Sequence, residues 1–148
     1  LPHIEKCDDV FVTYGDGVAD INISELLAFH KYHGKLATVT SVVPEARFGA
    51  LDIHPDTHRV ENFVEKPIGE AGRINGGYFV LKPKAIEKYV TEGDATVWEQ
   101  NPLRSLSKDG ELFAFCHDGF WRPMDTLRDK EKLEDLWQSG KAPWKVWL

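Results

Sequence analysis

The sequence predicts an α/β fold: a mixed, mostly parallel sheet with helices on both faces and an inserted β-hairpin. A strand, a helix and a second strand follow one another within residues 10–43, the βαβ rhythm of a parallel sheet covered on both sides. A strand, tight turn and strand at residues 49–65 then interrupt that rhythm with an antiparallel hairpin. Strands and helices resume from residue 74 to 139 with no internal repeat, low-complexity tract or linker, so residues 1–148 read as one domain.

Each element has a local cause. Residues 10–14 are a short apolar, β-branched run stopped at once by Gly15-Asp16-Gly17, a buried strand ending in a tight turn. For the helix at 24–33, Ser24 is the expected N-cap. Ile23, Leu26, Leu27 and His30 fall at helical spacing, and Gly34 supplies the left-handed C′ residue. Residues 37–43 form the next strand, and His54-Pro55-Asp56-Thr57-His58 turns the hairpin. In the strand at 74–81, Asn75-Gly76-Gly77 lets another backbone or a ligand approach closely. Pro83 opens a helix running to Val90. Thr96-Val97-Trp98-Glu99 fits a capping box, and Asn101-Pro102 restarts a helix through Leu106 that stops near Gly110. Residues 111–116 are expected to be the last strand. A helix at 125–139 carries Leu127, Leu133, Leu136 and Trp137 among charges and is closed by Gly140. The aromatic tail around Trp144 and Trp147 is costly to leave in water and is expected to pack on a neighbouring surface.

Composition narrows the function classes. The chain has 148 residues, of which 42% are apolar, enough for one buried core. Eighteen Lys and Arg against 24 Asp and Glu give a net charge of −6, with no basic stripe to neutralise a phosphate backbone, so a nucleic-acid partner is not expected. No stretch approaches the ~20 apolar residues of a membrane span, so the chain reads as soluble. Cys7 and Cys116 match no metal or redox spacing and read as two buried thiols in a reducing compartment, although a pairing stays open. Residues 1–9, without an initiator Met, read as the tail of something cropped.

Asp16 stands at a strand's carboxyl end between two glycines, where ligands of open α/β sheets collect; a plain turn aspartate is the alternative. Its surroundings lack the alternating acidic spacing of a calcium loop. Asp125 reads as a helix N-cap or as a second carboxylate for the same site. A hard divalent cation such as Mg²⁺ takes one or two carboxylates plus substrate phosphates, so such a pair suffices if the fold brings it together. In Glu65-Lys66-Pro67 the proline holds Lys66 extended, which suits a phosphate but also a solvated lysine. Asn75-Gly76-Gly77 suits sugar hydroxyls, or is simply a bulge. His30, His33, His54 and His58 have no zinc spacing and read as surface histidines. No Gly-x-Ser-x-Gly elbow supports a serine hydrolase.

Taken in order, residues 11–20 (FVTYGDGVAD), 47–52 (RFGALD), 65–67 (EKP), 74–81 (INGGYFVL) and 123–129 (PMDTLRD) resemble the glucose-1-phosphate cytidylyltransferases, a family of sugar nucleotidyltransferases. The likeness runs the whole length and includes residues 98–100 (WEQ), 119–121 (GFW) and 140–145 (GKAPWK). It implies a nucleotidyltransferase-type sheet, Rossmann-like and GT-A-like. The implied reaction is transfer from CTP to α-D-glucose 1-phosphate, giving CDP-glucose and diphosphate, in a cytoplasmic, Mg²⁺-dependent homo-oligomer that feeds bacterial surface polysaccharide. By the same resemblance Asp16 and Asp125 bind the metal and Gly15 contacts substrate. Lys66 holds the sugar phosphate, while Glu65, Asn75 and Gly76 contact glucose.

The family's Gly-Gly-x-Gly-Thr-Arg loop and following Lys-Pro-Lys do not occur in this sequence. The likeness therefore covers about the C-terminal three-fifths of the family and lacks its N-terminal nucleotide-binding part. Three expectations follow: no CTP turnover by this chain alone, an uncovered sheet edge or face, and association through it. Other readings are a relative using UTP or dTTP, and a non-catalytic sugar-phosphate-binding or oligomerisation domain. A metal-dependent glycosyltransferase would want an Asp-x-Asp pair, which Asp16-Gly17-Val18 lacks.

Overall fold

A computed structural model describes residues 3–4, 6–45, 50–64 and 72–147. The chain order is β1 (Val10–Thr13), β2 (Gly17–Ala19), α1 (Ile23–His33), β3 (Ala37–Val42), β4 (Ala50–Ile53), β5 (Val60–Val64) and β6 (Ile74–Leu81). It continues with α2 (Pro83–Tyr89), a 3₁₀ turn (Gly93–Ala95), α3 (Asn101–Lys108), β7 (Leu112–His117), β8 (Trp121–Pro123) and α4 (Leu127–Gln138).

The main sheet has the order β1-β6-β3-β7. β6 runs antiparallel to both β1 and β3, and β7 pairs parallel with β3. Three of the four strands therefore point the same way with one reversed strand between them, the mixed sheet that the sequence predicts. β4 and β5 form the expected antiparallel hairpin apart from it. Pleat alternation sends neighbouring side chains to opposite faces. One face carries Ala37, Phe79 and Leu81, packed with Ala85 and Tyr89 of α2 and Leu106 of α3. The other carries Thr38 of β3 and Phe115 of β7, which meet His30 and Phe29 of α1. Helices thus cover both faces. Among the described residues no helix is long and apolar enough to cross a membrane.

Several local expectations are corrected. Asn22, not Ser24, caps α1: its side-chain oxygen accepts the backbone N–H of Ser24 and Glu25, and the helix starts one residue early. Gly34 closes α1 at φ +67°, as expected. Thr96 opens no helix; it follows the 3₁₀ turn, and α3 begins at Asn101 with Pro102 in its first turn, where its missing N–H costs no intrahelical bond. Thr126, not Asp125, caps α4, in a reciprocal capping box with Asp129. β7 is not the last strand, because β8 follows it and pairs with β2. Cys7 and Cys116 are free and exposed rather than buried. In the tail, Trp144 packs on Phe120 (ring centroids 5.3 Å apart), while Trp147 stays half exposed.

His30 is the largest correction among the histidines: it is fully buried. Lys35 N–H donates to His33 Nδ1 (3.0 Å), so the proton of a neutral His33 sits on Nε2 and is donated to Thr38 Oγ1 (2.7 Å). The Thr38 hydroxyl then donates to His30 Nδ1 (2.7 Å), leaving His30 Nε2–H to face Asp9 Oδ1 at 3.3 Å. The run of hydrogen bonds stops at Nδ1: Nε2 makes no hydrogen bond and has only the neighbouring Asp9 carboxylate to offset its burial.

Candidate active site

The site is built where β1 ends. Asp16 lies in the turn between β1 and β2, and β2 pairs antiparallel with β8 through Gly17↔Pro123, Val18↔Arg122 and Ala19↔Trp121. Met124 N–H donates to Asp16 O (2.8 Å), carrying the ribbon one step further. That step sets Asp16 beside the residue preceding Asp125. Both aspartates are exposed and line one cleft of about 540 Å³. Four carboxylates line the cleft, those of Asp16, Glu45, Asp125 and Asp129, with no histidine or thiol among its described lining residues, and oxygen donors of this kind are what a hard divalent cation takes. Among the described residues no group of three or more acidic, histidine or cysteine side chains gathers for a metal, so substrate oxygens would have to complete any coordination shell.

The opposite wall is an irregular stretch of β6. Between Val39↔Phe79 and Ser41↔Asn75, two steps along β3 face four along β6, so the Gly76-Gly77 segment bulges. Glycine is required at both positions. A Cβ at Gly76 would lie 2.8 Å from Val42 Cγ1, and one at Gly77, where φ is +78°, 2.7 Å from Tyr14 Cδ2. Asn75 stabilises the bulge: its Oδ1 accepts Gly77 N–H (2.8 Å) and its Nδ2 donates to Tyr14 Oη (3.0 Å). Tyr14 N–H in turn donates to Gly77 O (2.9 Å). Burial, with the neighbouring Glu99 and Asp16 charges adding to it, pushes the Tyr14 phenol up to about 12, so it stays neutral and hydrogen-bonding across the physiological range.

Of the residues singled out in the sequence, Asp16, Gly15, Asn75, Gly76 and Asp125 are described. All but Gly15 line the cleft. Gly15 is exposed, with nothing within 4 Å of where a Cβ would stand. Glu65 and Lys66, together with Arg47, Phe48 and Gly49, lie outside the described residues. Sequence reasoning missed the cations of the cleft: Arg128 and Lys132, one turn apart on α4, and Arg122, whose guanidinium pairs with Glu45 at 2.6 Å. Arg128 could have been noticed, because it stands three residues after Asp125. Nothing local marked Arg122 or Glu45, 77 residues apart.

Comparison with known proteins agrees with this architecture. Residues 2–129 match the family model described as nucleotidyl transferase. A glucose-1-phosphate cytidylyltransferase of Salmonella typhimurium is 57% identical over 143 residues, which is 96% of this chain and 54% of that protein. A probable glucose-1-phosphate cytidylyltransferase of Bacillus subtilis is 40% identical over 141 residues, 95% and 54% of the two chains. Among solved structures, HddC from Yersinia pseudotuberculosis superimposes with a TM-score of 0.59 at 25% identity, covering 86% of this chain and 54% of its own. The chain thus spans about half the length of the curated relatives it matches. A mixed sheet covered on both faces, two carboxylates just beyond the ends of β1 and β8, and these matches converge: the chain belongs to the nucleotidyl transferase family.

Proposed function

We propose that this chain supplies the sugar-phosphate and metal-binding part of a glucose-1-phosphate cytidylyltransferase, as one domain over residues 1–148. One observation carries the reading: the β2–β8 pairing brings Asp16 and Asp125, 109 positions apart in sequence, to one cleft facing the Asn75-Gly76 bulge. The relatives' names point to glucose 1-phosphate and CTP as substrates. In the reaction a phosphate oxygen of glucose 1-phosphate attacks the α-phosphorus of CTP. The bond from that phosphorus to the oxygen bridging to the β-phosphate breaks, and diphosphate leaves. Catalysis of this kind is mostly positioning and charge neutralisation.

Asp16 and Asp125 would hold Mg²⁺, which when bound neutralises phosphate charge in the cleft. Asn75 presents its exposed amide edge to the sugar hydroxyls, and Arg128 and Lys132 draw the anionic group towards α4. Lys66 and Glu65 complete the sugar-phosphate contacts that the family resemblance implies. Homo-oligomerisation, cytoplasmic residence and a role in surface-polysaccharide synthesis complete the proposal.

The test is calorimetric titration with glucose 1-phosphate, with and without Mg²⁺, on the wild-type chain, Asp16→Asn and Lys66→Ala. Binding by the wild type that is weakened in both variants supports the assignments. A folded chain that binds neither ligand refutes the reading for this polypeptide.

A further inference from the structure

The geometry points to Trp121 as a positioning residue for the carboxylate pair. It acts by tying the strand that leads to Asp125 onto the glycine bulge of β6. This inference rests on the proposal that Asp16 and Asp125 hold a divalent cation.

Both carboxylates ride on the short β2–β8 ribbon, which is separate from the main sheet. A ribbon of three-residue strands does not hold its own place, because few backbone bonds join it. Two side-chain hydrogen bonds fasten it to β6, one to each strand. Tyr78 Oη donates to Gly17 O (2.7 Å), next to Asp16. Trp121 Nε1 donates to Gly76 O (2.8 Å), four residues before Asp125.

β2 lies in contact with the second bond. A Cβ added at Gly17 would stand 3.7 Å from Gly76 O and 3.8 Å from Trp121 Nε1, so β2 rests against the same hydrogen bond that anchors β8. The bulge is held independently by Asn75 and Tyr14. Loss of the indole N–H therefore loosens the β8 side of the ribbon, while Tyr78 still holds β2 and Asn75 and Tyr14 still hold the wall opposite. Groups that orient metal ligands without touching the metal change affinity by about 10–100-fold. Trp121 would act in this way: its indole N–H is taken up by Gly76 O and offers no metal ligand, yet it helps to set where Asp125 stands.

The test is Mn²⁺ binding, followed by the electron paramagnetic resonance of the free ion, for the wild-type chain and Trp121→Phe. Trp137→Phe, on the exposed side of α4, serves as the matched control. Glucose 1-phosphate binding without metal is measured on all three. The expected result is a loss of Mn²⁺ affinity of about tenfold or more in Trp121→Phe alone, with metal-free sugar-phosphate affinity unchanged. Unchanged Mn²⁺ affinity, or a parallel loss of both ligands as general loosening would give, overturns the inference and leaves the metal reading standing. A wild-type chain that binds glucose 1-phosphate but no Mn²⁺ overturns the metal reading and the inference with it. Should Trp121→Phe not fold, the wild-type indole N–H resonances decide. Titration with Mg²⁺ should shift that of Trp121 and leave that of Trp137 in place, and an unmoved Trp121 signal counts against the inference.

Discussion

Lowering the pH from 7 to 4 should destabilise this protein through one buried imidazole. His30 is fully buried, and that burial, opposed in part by Asp9, holds its pKa down at about 4 against an ordinary 6.5. Between those two values the unfolded chain carries a proton that the folded chain refuses. Stability must therefore fall as pH drops from about 6.5 to about 4, with no further change from this group outside that window. Each pH unit is worth 1.36 kcal/mol, so a 2.5-unit gap amounts to about 3 kcal/mol. That is a sizeable part of the 5–15 kcal/mol typical of a domain.

His33, lowered chiefly by burial with Lys35 and Lys82 nearby, adds a contribution of the same sign. Asp9, Lys82 and Glu111 are the other charges facing this cluster. The assay is urea unfolding at half-unit pH steps on the wild type and His30→Phe, read as a difference curve so that carboxylates common to both cancel. A difference curve that is flat between pH 6.5 and 4 would refute the reasoning.

Other consequences are open to simpler checks. Asp16→Asn and Asp125→Asn should each weaken Mn²⁺ binding at least tenfold while leaving the urea midpoint near the wild-type value, since both side chains are exposed. Gly77→Ala combines a left-handed backbone with a Cβ driven to 2.7 Å from the Tyr14 ring. It should cost about 1–2 kcal/mol for the backbone alone and more for the overlap, seen as a lower thermal midpoint. Thr126→Ala removes one half of the α4 capping box and should cost about 1 kcal/mol in the same measurement. Phe79→Ala empties the centre of the face under α2 and α3 and should cost about 3–5 kcal/mol; a loss below 1 kcal/mol would mean that this core is not packed as described.

The secondary structure was legible wherever a local rule decided it. The apolar run before Gly15-Asp16-Gly17, the glycine after α1, the turn within 54–58 and the proline at the start of α2 each act over a few residues. Local rules failed where two neighbouring residues competed for one role. Asn22 took the cap from Ser24 and Thr126 took it from Asp125, because which side chain reaches the orphan N–H groups depends on where the incoming chain enters. They failed again for β2 and β8, three residues each, too short to show a period.

By itself the sequence determined most of the longer elements and the family and singled out Asp16 and Asp125 as candidates, because those follow from residue type, spacing and ordered motifs. The tertiary structure decided that Asp16 and Asp125 share a cleft, that Asn75 and Tyr14 brace the bulge opposite them, and that His30 is sealed inside. Each of these joins residues from elements distant in sequence. The energy of such a contact exists only once the intervening chain has folded, so no local pattern records it.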